Sequence, residues 1–314
     1  MTRALKSGCV TYQFILTDIY CMYPWLDPSG RFSFFKLTVF VALLVPGIML
    51  LWPVVIEGGA TIPVKEAILE SGDWTIRILL ISLLITPLRR ITRFSKLVQV
   101  RRQIGVAAFV YVMVHLSLYA ISQNLDLGKI VSEIFLRIYL TIGFAAVVGL
   151  SILAATSTKA AMRKLGANWS RLHKASYGIA ILGVLHFFMQ SKIDVSEATL
   201  MAGFFVALML YRFAHWRGWS LRSFIPLLAV SVVAGLATAG IEYVWYALAT
   251  GVPADRVFAA NLEWMWPMRP AWTVFLTGLF MIVVCQFGRD GAARTVIANV
   301  MASVRFKPQH SRGG

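Results

Sequence analysis

Long apolar runs constrain the fold of this chain more than any other feature. They lie at about residues 36–56, 74–88, 104–121, 138–155, 175–190, 198–211, 223–248 and 271–287. Most approach the roughly 17–25 residues that a membrane-spanning helix needs. Hydrophobic residues make up 58% of the 314 residues and charged residues 14%, and mean hydropathy is +0.72, which excludes an ordinary soluble domain. The sequence predicts an all-α, polytopic transmembrane bundle of about eight helices, or seven if one short run does not span.

The net charge of +16 is spread over alternate loops. Residues 89–102 carry six basic side chains and residues 157–174 carry five, with no acidic residue in either stretch. The intervening loops, predicted at 57–73 and 191–198, are acidic or balanced. This positive-inside pattern predicts that both termini and the loops 89–102, 157–174 and 212–222 are cytoplasmic. It indicates that the basic loops bind anionic lipid headgroups and not nucleic acid, with a specific acidic partner as the alternative.

The three cysteines, Cys9, Cys21 and Cys285, are scattered along the chain. With no C-x-x-C pair, they exclude a c-type haem attachment and a cysteine-held zinc or iron–sulfur site. The stretch 10–21 is apolar but interrupted by polar residues, so the N-terminal segment is predicted to be a tail and not a signal peptide. Met22 is an alternative start.

Three histidines, His115, His173 and His186, are placed by the pattern inside or at the edge of spanning helices. An intramembrane ionisable group is a functional-site hypothesis by default. His115 lies 12 residues beyond Gln103, where its helix leaves the cytoplasm, and is therefore about 18 Å along the helix. His186 lies 13 residues beyond His173, or about 20 Å along. Two imidazoles at one depth on neighbouring helices predict the axial ligands of a six-coordinate b-type haem in the outer half of the membrane.

His173 lies at the inner level, where the third helix offers no histidine opposite it. Arg101, 14 residues before His115, returns to within roughly 40° of the same helix face, and Arg102 follows it. A guanidinium stays protonated and is a poor metal ligand, so these arginines are predicted to bind haem propionates, a quinone or a flavin phosphate. An inner haem with one protein ligand, or with His215 as a distant second, remains open. Because 13 residues rotate by about 140°, either His173 precedes the regular helix or two haems approach from different sides.

Other interpretations stay open for these polar groups. The histidines could instead be core residues that are hydrogen-bonded to Ser117, Tyr119 or Tyr177. Arg77 lies inside the second apolar run, where a charge is costly unless it is paired or reaches the surface. It is predicted to be a counter-ion for propionates of the outer haem, or else to extend toward the surface past Asp73.

Several motifs between Gly72 and Arg212 carry a resemblance to a known family. They are L-L-I-T-P-L-R-R at 83–90, V-R-R-Q-I-G at 100–105, V-H-L-S-L-Y at 114–119, R-I-Y-L-T-I-G at 137–143, T-S-T at 156–158, R-K-L-G-A-N-W-S-R-L-H at 163–173 and L-H-F-F-M-Q-S-K at 185–192. P-V-K at 63–65 extends the likeness toward the first helix. Together they resemble the MsrQ (YedZ) family of the ferric-reductase-like transmembrane superfamily.

That resemblance implies a haem b protein of the bacterial inner membrane, with one or two haems, that takes part in electron transport. The family's haem histidines, which bind the haem iron, fall on His115, His173 and His186, and its paired arginines fall on Arg101 and Arg102 in the position where related reductases place a fourth histidine. The implied electron donor is the quinone pool or a flavin reductase. The implied acceptor is MsrP, a periplasmic molybdopterin enzyme that repairs oxidised methionines. FMN is also ascribed to the family, so a flavoprotein is expected.

The sequence departs from that family beyond Arg212. Residues 223–248 and 271–287 add two predicted helices to a six-helix core, and the tryptophans of the outer loop between them predict an interfacial belt or a docking surface for the periplasmic partner. No G-x-G-x-x-G is present, so the chain is expected not to oxidise NADPH unaided. The predicted divisions are an N-terminal cytoplasmic tail at 1–35, a haem-binding transmembrane core at 36–215, two additional helices at 216–287 and a basic cytoplasmic tail at 288–314.

The leading hypothesis is therefore an electron-transfer subunit of an oxidoreductase system, and not a self-contained catalyst. A transmembrane ferric or cupric reductase component is the alternative in another class, although the outer stretches 122–136 and 249–270 show no His or Cys cluster to hold metal. A haem-free transporter is the third, although Gly/Pro-broken helices at mid-membrane are not evident.

Overall fold

The computed structural model of the protein describes residues 23–27, 29–56, 61–192 and 194–287, the backbone alone at residues 61–63 and 287. The predicted C-terminal tail 288–314 and most of the predicted N-terminal tail lie outside the described residues. So do Cys9, Cys21 and the alternative start at Met22.

Every apolar run forms a helix. In chain order the helices are α1 (Phe34–Ile56), α2 (Thr61–Thr92), α3 (Leu97–Ser122), α4 (Leu127–Leu136), α5 (Ile138–Ala155), α6 (Lys159–Leu165), α7 (Ala167–Leu172), α8 (Ala175–Gln190), α9 (Ser196–Trp216), α10 (Phe224–Ala249), α11 (Ala254–Leu262) and α12 (Pro270–Phe287). In hydrocarbon the backbone polar groups must be paired within the chain, and a helix achieves this within one segment. The predicted all-α, polytopic fold is confirmed.

Within the residues that the structure describes, six helical segments are long and apolar enough to cross a membrane by length and composition. They are α1, α3, α5, the stretch Ala167–Gln190 that joins α7 to α8, α9 and α10. The apolar helix α12 is shorter, and α2 carries charged residues along its first half. The chain is therefore a multi-pass membrane protein.

The interpretation of residues 57–73 as a loop is wrong from Thr61 onward. Helix α2 begins there, 13 residues before the apolar run that starts at Trp74. Its early residues include Lys65, Glu66 and Glu70, which lower the hydropathy but are good helix formers where the backbone is outside hydrocarbon.

Two compact units divide the chain. The first comprises residues up to Ile85 and Lys96–Phe205. Within it α5 packs against α8, α3 and α4, and α1 packs against α3. A Cβ on Gly149 of α5 would lie 2.7 Å from Ile179 Cγ1 of α8, and one on Gly183 would lie 2.5 Å from Ile76 Cδ1 of α2. Glycine at these positions lets neighbouring helices approach closely, as is common between membrane helices.

The second unit comprises Thr86–Ser95 and the residues from Val206 onward. Here α10 packs against α11 and α12, and Gly278 of α12 lies directly against the side chain of Ser231. Its buried apolar core includes Leu227, Ile282 and Cys285. The domain division predicted between residues 215 and 216 stays a prediction.

Candidate functional site

An apolar pocket in the first unit contains two of the predicted histidines. Its lining comes from α2, α3, α4, α5 and α8 and includes both His115 and His186. The centroids of the two imidazoles are 6.4 Å apart and their planes are nearly perpendicular, at 87°. The structure thus brings together the two histidines that the sequence predicts to lie at equal depth.

His115 is held by the backbone of α2. Its Nδ1 lies 2.8 Å from the carbonyl oxygen of Ile68 and 3.2 Å from the hydroxyl of Ser71, which itself donates to the same carbonyl at 2.8 Å. A carbonyl can only accept a hydrogen bond, so Nδ1 carries the hydrogen and, in the neutral ring, Nε2 keeps its lone pair. The alternative partners Ser117 and Tyr119 are not the ones used, since their hydroxyls donate to Met113 and Glu133.

His186 is held in the same way by a different helix. Its Nδ1 lies 2.8 Å from the carbonyl oxygen of Tyr139, near the start of α5. The same reasoning assigns the hydrogen to Nδ1 and the lone pair to Nε2. Both histidines therefore use one ring nitrogen to fix their orientation and leave the other available as a ligand, which is the usual arrangement of metal-bound histidine.

Two glycines leave room for these rings. A Cβ on Gly72 of α2 would lie 3.2 Å from Cε1 of His115, and a Cβ on Gly143 of α5 would lie 2.8 Å from Nδ1 of His186. Any side chain at Gly143 would displace His186 or the helix. Each imidazole is thus seated against bare backbone on a neighbouring helix.

The separation of the two rings fits two histidine ligands that would share one haem iron. Two iron–nitrogen bonds of about 2 Å each, together with the radii of two imidazole rings built from bonds of about 1.3 Å, give a centroid separation of about 6.3 Å. The observed separation is 6.4 Å. The surrounding side chains are mostly apolar, including Leu79, Val112 and Leu150, as a porphyrin face requires.

Two tyrosines that line the pocket, Tyr119 and Tyr139, belong to a polar network at the start of α5. The Tyr119 hydroxyl donates to Glu133 at 2.9 Å, and the Arg137 guanidinium donates to Glu133 and to the Tyr139 hydroxyl, each at 3.1 Å. Glu133 and Arg137 lie at the junction of α4 with α5. The network joins α3, α4 and α5 around the backbone segment that supplies the carbonyl for His186.

Arg77 is paired with carboxylates. Its Nη2 lies 3.1 Å from Glu197 and 3.9 Å from Asp73, and the guanidinium lies over the ring of Trp74 at 5.3 Å. Asp73, which precedes the apolar run and lines the pocket, is partly buried. That burial raises the pKa of Asp73 to about 6, although the positive charge of Arg77 acts in the opposite direction.

His173 lies outside the lining of this pocket, in the short break between α7 and α8. The structure therefore places His173 just before the regular helix, which is one of the two alternatives left open by the sequence. Its ring stacks on Trp169 at 4.1 Å, and its Nδ1 lies 3.1 Å from the Trp169 carbonyl. Its Nε2 is 3.5 Å from the Ser157 hydroxyl. Arg101 lies near enough for its positive charge to interact with the His173 ring. Arg102 and His215 are exposed.

Sequence reasoning missed the groups that orient the pocket histidines. They are the carbonyls of Ile68 and Tyr139, the hydroxyl of Ser71 and the glycines at 72 and 143. A backbone carbonyl has no sequence signal, and a glycine in an apolar run is not distinctive. The start of α2 at Thr61 could have been found from the helix-forming residues ahead of its apolar run.

Comparisons with known proteins match the region of this site. The family model described as "Ferric reductase like transmembrane component" matches residues 71–184, which include His115 and His173 and end just before His186. No solved structure is significantly similar.

Curated relatives carry the name "Protein-methionine-sulfoxide reductase heme-binding subunit MsrQ". One from Xanthomonas euvesicatoria pv. vesicatoria is 41% identical over 194 residues, which is 59% of this chain and 85% of the relative. One from Bordetella pertussis is 39% identical over 184 residues, which is 58% of this chain and 89% of the relative. One from Xanthomonas oryzae pv. oryzae is 44% identical over 161 residues, covering 50% of this chain and 70% of the relative.

Proposed function

Because this chain belongs to the MsrQ family of heme-binding subunits of protein-methionine-sulfoxide reductases, we propose that it is the haem b electron-transfer subunit of such a system. It would take electrons from quinol or a reduced flavin and deliver them to a periplasmic, MsrP-like molybdopterin enzyme that reduces methionine sulfoxide in oxidised proteins. The proposed location is the bacterial inner membrane, with both termini cytoplasmic, on the basis of the positive-inside pattern.

The pairing of His115 with His186 is the observation that carries this proposal. Both rings present Nε2 as the free nitrogen, and their 6.4 Å separation matches two ligands on one iron. When bound, haem supplies a one-electron carrier whose potential depends on its ligands and surroundings. The two imidazoles would bind the iron, and the carbonyls of Ile68 and Tyr139 would orient them and raise their basicity. The mostly apolar lining would limit contact between water and the cofactor.

Polar residues near the two levels are proposed to bind cofactor groups. Arg77 is the proposed counter-ion for propionates at the outer level, in competition with its ion pairs to Glu197 and Asp73. Arg101 and Arg102 are proposed to bind propionates of an inner haem, a quinone or the phosphate of FMN. His173, stacked on Trp169 and acted on by the charge of Arg101, is the proposed ligand of that inner haem.

Electron delivery can be tested with the full chain in membrane vesicles. The protein is reduced by quinol under anaerobic conditions, and the absorbance of reduced haem b is followed. Addition of the periplasmic molybdopterin reductase with a methionine sulfoxide peptide should reoxidise the haem. Reductase without sulfoxide is the matched control and should leave the haem reduced. Haem that stays reduced in both reactions would contradict delivery to this acceptor.

The second candidate is a ferric or cupric reductase component, and the match to a ferric-reductase-like transmembrane family supports it. The same vesicles distinguish the two candidates. Rapid reoxidation by a ferric or cupric chelate, with none by reductase and sulfoxide, would favour the metal reductase over the methionine sulfoxide system.

A further inference from the structure

The second unit holds a loop that is fixed at both ends by one buried carboxylate. Glu242, on the apolar helix α10, is only 1% exposed. Its Oε2 accepts a hydrogen bond from Asn261 at the end of α11 at 2.8 Å, and its Oε1 lies 3.2 Å from the Arg269 guanidinium just before α12. A buried charge in such a helix requires partners. Here the partners are the two residues that bracket the segment 262–268.

That bracketed segment displays large side chains that soluble surfaces seldom expose. Its exposed large hydrophobic residues are Leu262, Trp264, Met265, Trp266 and Met268. Met265 is 51% exposed and Met268 is 36% exposed. Because Asn261 and Arg269 hold both ends against α10, this display is a feature of the fold and not of a loose end.

These two methionines differ from every other exposed methionine in the described part of the chain. The remaining exposed ones, Met49 and Met113, lie in α1 and α3, which are apolar enough to span a membrane. Lipid therefore surrounds them. Met265 and Met268 lie between helices, at the end of α10 opposite the basic loop 212–222, and the charge pattern places that end outside.

We propose that Met265 and Met268 form an oxidation site, and that their sulfoxides are substrates of the methionine sulfoxide reductase that this chain supplies. The claim that these sulfoxides are substrates of the reductase rests on the proposed function. In the first step the thioether sulfur takes one oxygen atom from hypochlorous acid, which leaves as chloride and a proton. In the second step the sulfoxide takes two electrons and two protons, and the S–O bond breaks to give thioether and water. The first step converts an apolar side chain into a polar one, and the second restores it.

The oxidation half is tested on the full chain in membrane vesicles with the outer face exposed. Graded doses of hypochlorous acid are followed by peptide mass spectrometry of each methionine. Met265 and Met268 should form sulfoxide on the order of tenfold faster than Met49 and Met113, because susceptibility follows access to the aqueous oxidant. Equal rates at all four positions would overturn the oxidation site.

The repair half uses the oxidised vesicles and two electron donors. Purified periplasmic molybdopterin reductase with reduced methyl viologen, which bypasses this chain, should return Met265 and Met268 to thioethers. If Met265 and Met268 stay oxidised under conditions where a free sulfoxide peptide is reduced, the inference is overturned. Repair by viologen but not by quinol would uphold the loop as a substrate and contradict the proposed function instead. The double variant M265L/M268L, which should keep the haem spectrum, must lose the signal at both positions.

Discussion

At the scale of single residues, the central feature is that each pocket histidine is fixed by a backbone carbonyl on another helix. The contacts from Ile68 to His115 and from Tyr139 to His186 are both 2.8 Å. Side-chain substitutions cannot remove a carbonyl, but they can move the ring away from it. Gly143 is sensitive to such a change, because any Cβ added there would lie against the ring of His186.

Gly143→Ala should displace His186 and weaken haem binding. A Cβ at this position would lie 2.8 Å from His186 Nδ1, so the ring or the helix has to move. Overpacking of this kind costs about 1–3 kcal/mol, which corresponds to a loss of haem affinity of roughly 5- to 150-fold. The loss of haem is measured as haem content per purified chain.

The matched control for this variant is Gly178→Ala. Gly178 lies on α8 with His186, and a Cβ there would meet nothing within 4 Å. It should keep the haem content of the unmodified protein, since alanine is also the better helix former. Equal haem loss in both variants would show that the packing at Gly143 is not the cause.

Asp73 should make the stability of the protein depend on pH. Its pKa is raised from 3.8 to about 6 mainly by burial, so its stabilising contribution is fully present below about pH 4 and is lost as the pH rises through 6. The Tm of the purified protein, measured relative to that of Asp73→Asn, should therefore fall between pH 4 and about 6.5 and stay constant above it. A difference in Tm that is the same at every pH would contradict this.

At the scale of helices, the sequence predicts the helical segments that lie in hydrocarbon better than the helix ends and short helices at the membrane edge. The equal depth of His115 and His186 follows from helix rise, and the structure brings the two together. The early start of α2 and the short helix α4 were not predicted, because the hydropathy signal stops where water can satisfy the backbone. The carbonyl contacts were not predictable at all, since they depend on helix packing.

The buried Glu242 makes Arg269 the critical residue of the second unit. Arg269→Ala would leave the carboxylate without its counter-charge, and removing one partner of a buried pair is strongly destabilising. Allowing for the partial exposure of Arg269, the loss is expected to be on the order of 2 kcal/mol. Thermal unfolding of the purified variant would measure it.

Two further variants control this experiment. Arg256→Ala removes an exposed arginine on α11 and should have little effect on Tm. Glu242→Gln introduced together with Arg269→Ala should recover part of the lost Tm, because the unpaired charge is gone. A double variant no more stable than Arg269→Ala alone would count against the charge pairing as the cause.

At the scale of the whole molecule, the charge pattern predicts the orientation of the chain in the membrane. A reporter that is active only in the cytoplasm, fused after Gly314, should be active. The same reporter inserted at Gly251, between α10 and α11, should be inactive, whereas a reporter active only outside should work there. The reverse result at both positions would invert the proposed direction of electron transfer.

The haem spectra of three histidine variants test the central claim most directly. Reduced-minus-oxidised spectra and haem content are measured for the unmodified chain and for His115→Ala, His186→Ala and His173→Ala. We predict that His115→Ala and His186→Ala lose the same six-coordinate haem, since their rings form one ligand pair 6.4 Å apart, while His173→Ala retains it and affects only a distinct, weaker-bound haem. An unchanged spectrum in all three variants would contradict the assignment.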